Sequence, residues 1–211
     1  MLPGPTLIKE CPHCLKPIKV YTIRSGNTAG AIYWTDGKRF APMLPEIPWL
    51  VKCAKCRGLL WIDAARDLGW LEAKIAKWRK AQEYLEPTET DFLGALAAGL
   101  GADAEKQRYL RLQAWWAAND RVRPDPEAPV RWEHSPQARG NMRSLSAELD
   151  ETDEFERLLK AKLARELGLF EEAERLLSGD YGEHLRPRVK FLQKLTAQRS
   201  TTVAQFPDQD D

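Results

Sequence analysis

The spacing of apolar residues changes near residue 63. Before it, they come in short runs set between turn formers, the pattern of strands rather than helices. Lys19-Val20-Tyr21-Thr22-Ile23 and Ala31-Ile32-Tyr33-Trp34-Thr35 are rich in β-branched and aromatic residues and flank the turn-prone Ser25-Gly26-Asn27-Thr28, which predicts a hairpin. Asp36-Gly37 is a second turn signal. The Pro-rich run from Ala41 to Pro48 then crosses to an expected strand at Trp49-Leu50-Val51-Lys52, and Leu59-Leu60-Trp61-Ile62 forms another.

Beyond Asp63, an N-cap candidate, the period becomes helical. Ala64 to Leu68 and, after a Gly69 break, Leu71, Ile75, Trp78 and Leu85 predict helix as far as Pro87. Lys74, Lys77, Arg79 and Lys80 occupy the opposite face, which reads as solvated or as a contact for phosphates. Thr88 to Leu100 predict a second helix, and Ala102 to about Arg123 a third with the stripe Tyr109, Leu112 and Trp116. Residues 124–140, with four prolines and Gly140, read as a linker or extended loop that Trp132 anchors. Residues 141–203 return to helix. Phe155, Leu158, Leu159 and Leu163 form one stripe, Phe170, Ala173, Leu176 and Leu177 the next, and Val189, Leu192 and Leu195 the last. Residues 204–211 read as a disordered acidic tail. The expected class is therefore α+β: a small β-rich ribbon over 1–62, then a larger all-α part comprising a helical region over 63–123 and a helical hairpin with a terminal helix over 141–203.

Chemistry enters with the cysteines. Cys11-Pro12-His13-Cys14 and Cys53-Ala54-Lys55-Cys56 are two C-x-x-C knuckles. Two intervening residues let a tight turn aim both thiolates at one ion, so two knuckles make a closed tetrahedral shell of four sulfurs. Such a shell leaves no coordination position for substrate, and structural Zn2+ is the expected occupant, with rubredoxin-like iron as the competing all-sulfur metal. His13 reads as a surface residue inside the first knuckle. No long apolar run is available for a membrane span, which takes roughly 18 residues, and no charged and apolar leader opens the chain, so the protein reads as cytoplasmic, where thiols stay reduced.

Overall charge is near balance, 32 Lys and Arg against 31 Asp and Glu. The balance hides a division, because residues 1–60 hold nine basic and three acidic side chains. That excess admits a nucleic-acid surface in which Lys16, Lys19, Arg24, Lys38, Arg39, Lys52, Lys55 and Arg57 meet phosphates while Tyr33 or Trp34 stacks on bases. It equally admits a protein partner that docks on Trp34 and Trp49.

Polar residues crowd the end of the third helix: Trp115, Trp116, Asn119, Asp120, Arg121 and Arg123. A helical turn puts Asp120 and Arg123 beside Trp116, and Asn119 beside Leu112. Two readings stand, a buried network whose members satisfy one another and a pocket that binds a ligand between aromatic walls. No Gly-rich phosphate loop, nucleophile elbow or carboxylate metal cluster appears, and the three histidines stand apart, so an enzyme ranks behind an adaptor and a nucleic-acid binder.

Ala164-Arg165-Glu166-Leu167-Gly168-Leu169-Phe170-Glu171-Glu172-Ala173 resembles the inter-helix turn of a tetratricopeptide repeat, with Gly168, Phe170 and Ala173 in the turn-glycine, aromatic and small-residue places. One such unit is visible, whereas a solenoid stacks about three. Ser25-Gly26-Asn27-Thr28, Ala29-Gly30-Ala31, Trp34-Thr35-Asp36-Gly37, Pro42-Met43-Leu44-Pro45, the second knuckle, Trp115-Trp116 with Asn119-Asp120, and the Arg165 to Ala173 turn together resemble a family of uncharacterised bacterial proteins over most of residues 7–180. That resemblance implies an N-terminal four-cysteine zinc ribbon and a C-terminal tetratricopeptide-like region. It implies no activity.

Overall fold

The computed structural model describes residues 1–71, 78–123 and 133–207. The fold is α+β, with small sheets in the N-terminal part and, among the described residues, six α-helices in the C-terminal part. The chain divides into two compact units, neither of which is one continuous segment: Met1–Ala31 with Phe40–Asp91, and Ile32–Arg39 with Phe92–Asp211.

The first unit is built from β1 (Leu2–Pro3), β2 (Leu7–Glu10), β3 (Pro17–Val20), β4 (Ile23–Ser25), β7 (Leu50–Lys52), β8 (Leu59–Trp61), β9 (Asp67–Trp70) and β10 (Gln82–Glu83). A four-stranded sheet runs β10-β3-β2-β9, while β1-β4 and β7-β8 are two-stranded. The hairpins β2-β3 and β7-β8 each carry one knuckle in their turn. Because the strands are only two to four residues long, their apolar cores are small. Ile18, Val51, Leu60 and Ala65 pack with Cys11 and Cys53, and Ile8 packs with Trp78 and Ala81.

Two expectations fail in this unit. The hairpin across Ser25 to Thr28 does not form, since β3 pairs with β2 and β4 with β1. Nor is α-helix found in the described part of Leu71 to Leu85, where Trp78 lies in a 3-10 turn. Asp67–Trp70 instead adds to β2, Ala81 closes a turn by donating to the Trp78 carbonyl, and Leu85 exchanges two backbone hydrogen bonds with Lys52. Ladder partners and the burial of Trp78 override the helical spacing here. Ile75, Lys74 and Lys77 lie outside the described residues.

The second unit holds the short pair β5 (Ile32–Tyr33) and β6 (Arg39–Phe40), whose first three-quarters belong to it, and the helices. Helix α1 (Glu89–Ala97) starts at the unit boundary and is followed by α2 (Ala104–Asn119), α3 (Pro136–Ala147), α4 (Glu154–Glu166), α5 (Phe170–Leu177) and α6 (Arg186–Ala197). Side-chain caps set three starts: Asp103 accepts from Lys106 N, Ser135 from Ala138 N, and Asp153 from Phe155 N and Glu156 N. Gly168, at φ +78°, ends α4 in the left-handed region that favours glycine. Leu158, Ala161, Ala173, Leu176, Leu177 and Leu192 form one core, and Trp115, Met142, Leu145 and Leu163 another.

Pro136 to Gly140, expected in the linker, form the first turns of α3, where proline at the start is tolerated. Trp132 and the three prolines before it lie outside the described residues. Ala204 to Phe206, expected in a disordered tail, are ordered: Thr35 N donates to Ala204 O, Phe206 N donates to Tyr33 O, and Phe206 is buried. Among the described residues no helix is long and apolar enough to cross a membrane.

Candidate metal centre and a buried polar network

The two knuckles repeat one backbone design. Cys11 N donates to Lys16 O and Leu15 N donates back to Cys11 O, while Cys53 N donates to Gly58 O and Arg57 N donates back to Cys53 O. Leu15 and Arg57 occupy equivalent places and both adopt positive φ, 58° and 65°. Each hairpin thereby turns sharply enough to aim two sulfurs inward. His13 crosses between the knuckles, bonding its Nε2 to Leu59 O at 2.7 Å and lying over Gly58, where an added Cβ would come within 2.6 Å of the ring. His13 thus braces one knuckle against the other and is not part of the four-sulfur cluster.

The four Sγ atoms of Cys11, Cys14, Cys53 and Cys56 lie within 4.8 Å of one another. Cys11 Sγ is 3.7 Å from Cys56 Sγ, and Cys14 Sγ is 3.7 Å from Cys53 Sγ. A disulfide requires about 2.05 Å, whereas a tetrahedron of sulfurs about 2.3 Å from a central ion has edges of about 3.8 Å. The cluster therefore has the dimensions of a metal site, and it could hold one ion.

Backbone donors grade the thiols. Burial pushes Cys11 up to about 12, against N–H groups of His13 and Cys14 that pull the other way. The N–H of Gly58 brings exposed Cys56 down to about 7. Burial also raises Cys14, opposed by the N–H of Lys16. Amides donating to sulfur are what spread thiolate charge in such sites.

The residues expected on one basic and aromatic surface are divided between the two units: Lys19, Arg24, Trp49, Lys55 and Arg57 fall in the four-cysteine unit, and Tyr33, Trp34, Lys38 and Arg39 in the helical one. There the Arg188 guanidinium lies 4.9 Å from the centre of the Tyr33 ring and that of Arg123 lies 5.1 Å from the Trp34 ring. Lys38 Nζ is 2.6 Å from Asp120.

Trp34-Thr35-Asp36-Gly37 forms the tight turn between β5 and β6 and carries a wholly buried carboxylate into the helices. Asp36 accepts from Lys38 N at 3.0 Å, from Asn119 Nδ2 at 2.9 Å and from both terminal nitrogens of Arg123, while its backbone carbonyl accepts from Trp116 Nε1 at 3.2 Å. Arg123 Nε turns to Asp120 at 2.6 Å.

A second buried carboxylate, Glu166, accepts from Trp115 Nε1 at 2.7 Å, Asn119 Nδ2 at 3.0 Å and Arg165 Nη2 at 3.2 Å. His134 Nε2 stands 3.6 Å away. Arg165 also donates to Thr35 Oγ1 and to the carbonyls of Ser200 and Thr202, tying the C-terminal segment to the turn. Burial works to raise the Glu166 carboxyl, but His134, the Arg165 charge and Asn119 outweigh it and leave the group below its ordinary value. Arg123 behaves alike, its Asp36 and Asp120 contacts outweighing burial and raising it.

Of the expected cluster, Trp115 and Asn119 are buried and Trp116 is half-buried, while the Asp120 side chain remains 43% exposed. Asp36, Glu166, Arg165 and His134 were not expected in it. A signal for two of them does exist: Lys162, Arg165 and Glu166 fall four, seven and eight residues after Leu158, on the buried stripe of α4. No family model, curated protein or solved structure matches this chain.

Proposed function

We propose that Cys11, Cys14, Cys53 and Cys56 hold one structural zinc ion, and that the protein is a cytoplasmic adaptor or scaffold working through protein-protein contacts. The observation that carries this reading is the closed four-sulfur cluster. Four thiolates fill a tetrahedral ion, so the metal contributes folding energy to a unit with small apolar cores and has no position left for substrate. An adaptor also needs a sticky face. Tyr21, Phe40, Ile47, Trp49 and Trp70, all in the metal-bearing unit, are each more than 40% exposed, the kind of apolar surface a partner covers. The packed helices α4 and α5, joined through Gly168, support a tetratricopeptide-like hairpin as a second presenting element.

The nucleic-acid alternative has less support, because Tyr33, Trp34 and Lys38 are engaged inside the helical unit. The enzyme alternative has less still, since the carboxylates near Trp115 are occupied by arginine, asparagine and indole donors.

Two measurements test the reading. Elemental analysis of the purified protein should give one zinc per chain, and iron would replace the metal assignment while keeping the site. Affinity capture from native cells, quantified by mass spectrometry, should enrich a partner with the wild type and lose it with Trp49→Asp or Trp70→Asp proteins that retain their metal. Enrichment unchanged by both variants, or none at all, would overturn the adaptor.

A further inference from the structure

The Pro-rich run between β6 and β7 belongs neither to the sulfur cluster nor to the buried network. It lies in the four-cysteine unit, pinned at both ends. Ala41 is buried at one end and Leu50 at the other. Leu44 N donates to Ala41 O at 2.9 Å and Asn27 N to Met43 O at 3.3 Å, and Gly26 approaches so closely that an added Cβ would stand 2.1 Å from Met43 O. At the far end Ile62 N donates to Trp49 O at 2.8 Å. Between these pins Pro45, Glu46 and Ile47 face solvent, and Ile47 and Trp49 are each 44% exposed.

Leu44-Pro45-Glu46-Ile47-Pro48 repeats an apolar-proline pair at a spacing of three. A polyproline II helix has three residues per turn, so the two pairs fall on one side of it. The residues themselves favour that conformation. The rings hold φ of Pro45 and Pro48 near −65°, and each proline presses the residue before it, Leu44 or Ile47, into extended backbone. All peptide bonds of the segment are trans and none of its residues has positive φ. Only Glu46 keeps ordinary backbone freedom, so little conformational entropy remains to be lost on binding. Pro45 and Pro48 also lack the N–H donors that a β-strand partner needs, so the segment offers rings and apolar side chains rather than a ladder.

We propose that Leu44 to Pro48, with Trp49 beside it, is a recognition segment for a protein whose surface carries an aromatic-lined groove that takes polyproline II ligands. Such grooves read proline rings and the apolar side chains paired with them, and a preset extended segment is what they select. The proposal rests on the adaptor reading and names both the face it uses and the chemistry of its partner.

Affinity capture from native cells with the full, metal-loaded chain tests it, in the presence of a synthetic peptide of residues 40–50 or of the same peptide carrying Pro45→Ala and Pro48→Ala. The first peptide should release the captured partner and the second should leave it bound, because a preset segment is recognised without the folded unit around it. The full chain carrying Pro45→Ala and Pro48→Ala, with metal content and melting temperature unchanged, should retain at least about tenfold less of that partner, as the loss of a packed anchor does. The peptide arm decides the question even where the double variant fails to fold. A partner that neither peptide releases, or that both release, or that the folded double variant retains in full, overturns the proposal and leaves the adaptor standing. Enrichment of no protein at all removes the adaptor and the proposal together.

Discussion

Replacing Lys162 with methionine should make the protein more stable, and the gain should depend on pH. Burial holds the Lys162 ammonium at about 8 against an ordinary 10.5, with attraction from Asp36 and Glu166 and repulsion from Arg188 and Arg165 acting on top of it. Between those two values the folded chain binds fewer protons than the unfolded one, so stability rises with pH across the window. Below about 8 both states carry the proton and the folded state bears the whole cost. At 1.4 kcal/mol for each tenfold, the fall from 10.5 to about 8 corresponds to about 3 kcal/mol. Methionine has a similar length and no charge to desolvate, so Lys162→Met should gain up to about 3 kcal/mol at pH 7. Urea denaturation of metal-loaded protein, followed by the far-ultraviolet helical signal, measures it. The difference between variant and wild type should be large at pH 7 and shrink toward zero by pH 10.5, and subtraction removes the titration of every other group. A variant less stable than wild type, or a difference flat across that range, would refute the reasoning.

Other perturbations separate the parts of the molecule. Cys53→Ser should lower the metal content of purified protein and speed amide hydrogen exchange in β2, β3, β7 and β8, while α4 to α6 keep their protection. Asp36→Asn removes the buried one of the two carboxylates that hold Arg123, leaving the half-exposed Asp120, and should cost about 3 kcal/mol in urea unfolding. Asp120→Asn acts on a side chain that is 43% exposed and should cost less than about 1 kcal/mol in the same assay. Trp115→Phe removes a buried donor from Glu166 and should cost about 1–3 kcal/mol.

The four-cysteine cluster was legible because a C-x-x-C pair declares its chemistry within four residues, and nothing distant is needed to recognise it. The helices α4 and α5 were legible for a similar reason, their stripes and Gly168 being local. What local pattern could not supply was partnership. Asp36 looked like half of an Asp-Gly turn, and its role depends on Asn119 and Arg123, more than 80 residues away. Trp78 and Leu85 kept a helical spacing, but their neighbourhood was decided by β2 and Lys52, which belong to an earlier stretch of chain. The C-terminal residues looked polar and loose until Thr35 and Tyr33 supplied a strand edge for Ala204 to Phe206. In each case the strongest local signal was real and a long-range contact outweighed it.

The loan of Ile32–Arg39 from the first stretch of chain to the second unit orders events during synthesis. All four cysteines and every described strand precede α2 in the chain, so the four-cysteine unit can fold while the turn that holds Asp36 is still unoccupied. That turn must then wait for α2 to bring Asn119 and Arg123, and for the last residues of the chain to reach Thr35. A ribosome stalled after about residue 110 would thus leave a four-cysteine fragment with a buried-to-be carboxylate in water, and a fragment that begins at Phe92 would lack the buried carboxylate on which Arg123 closes.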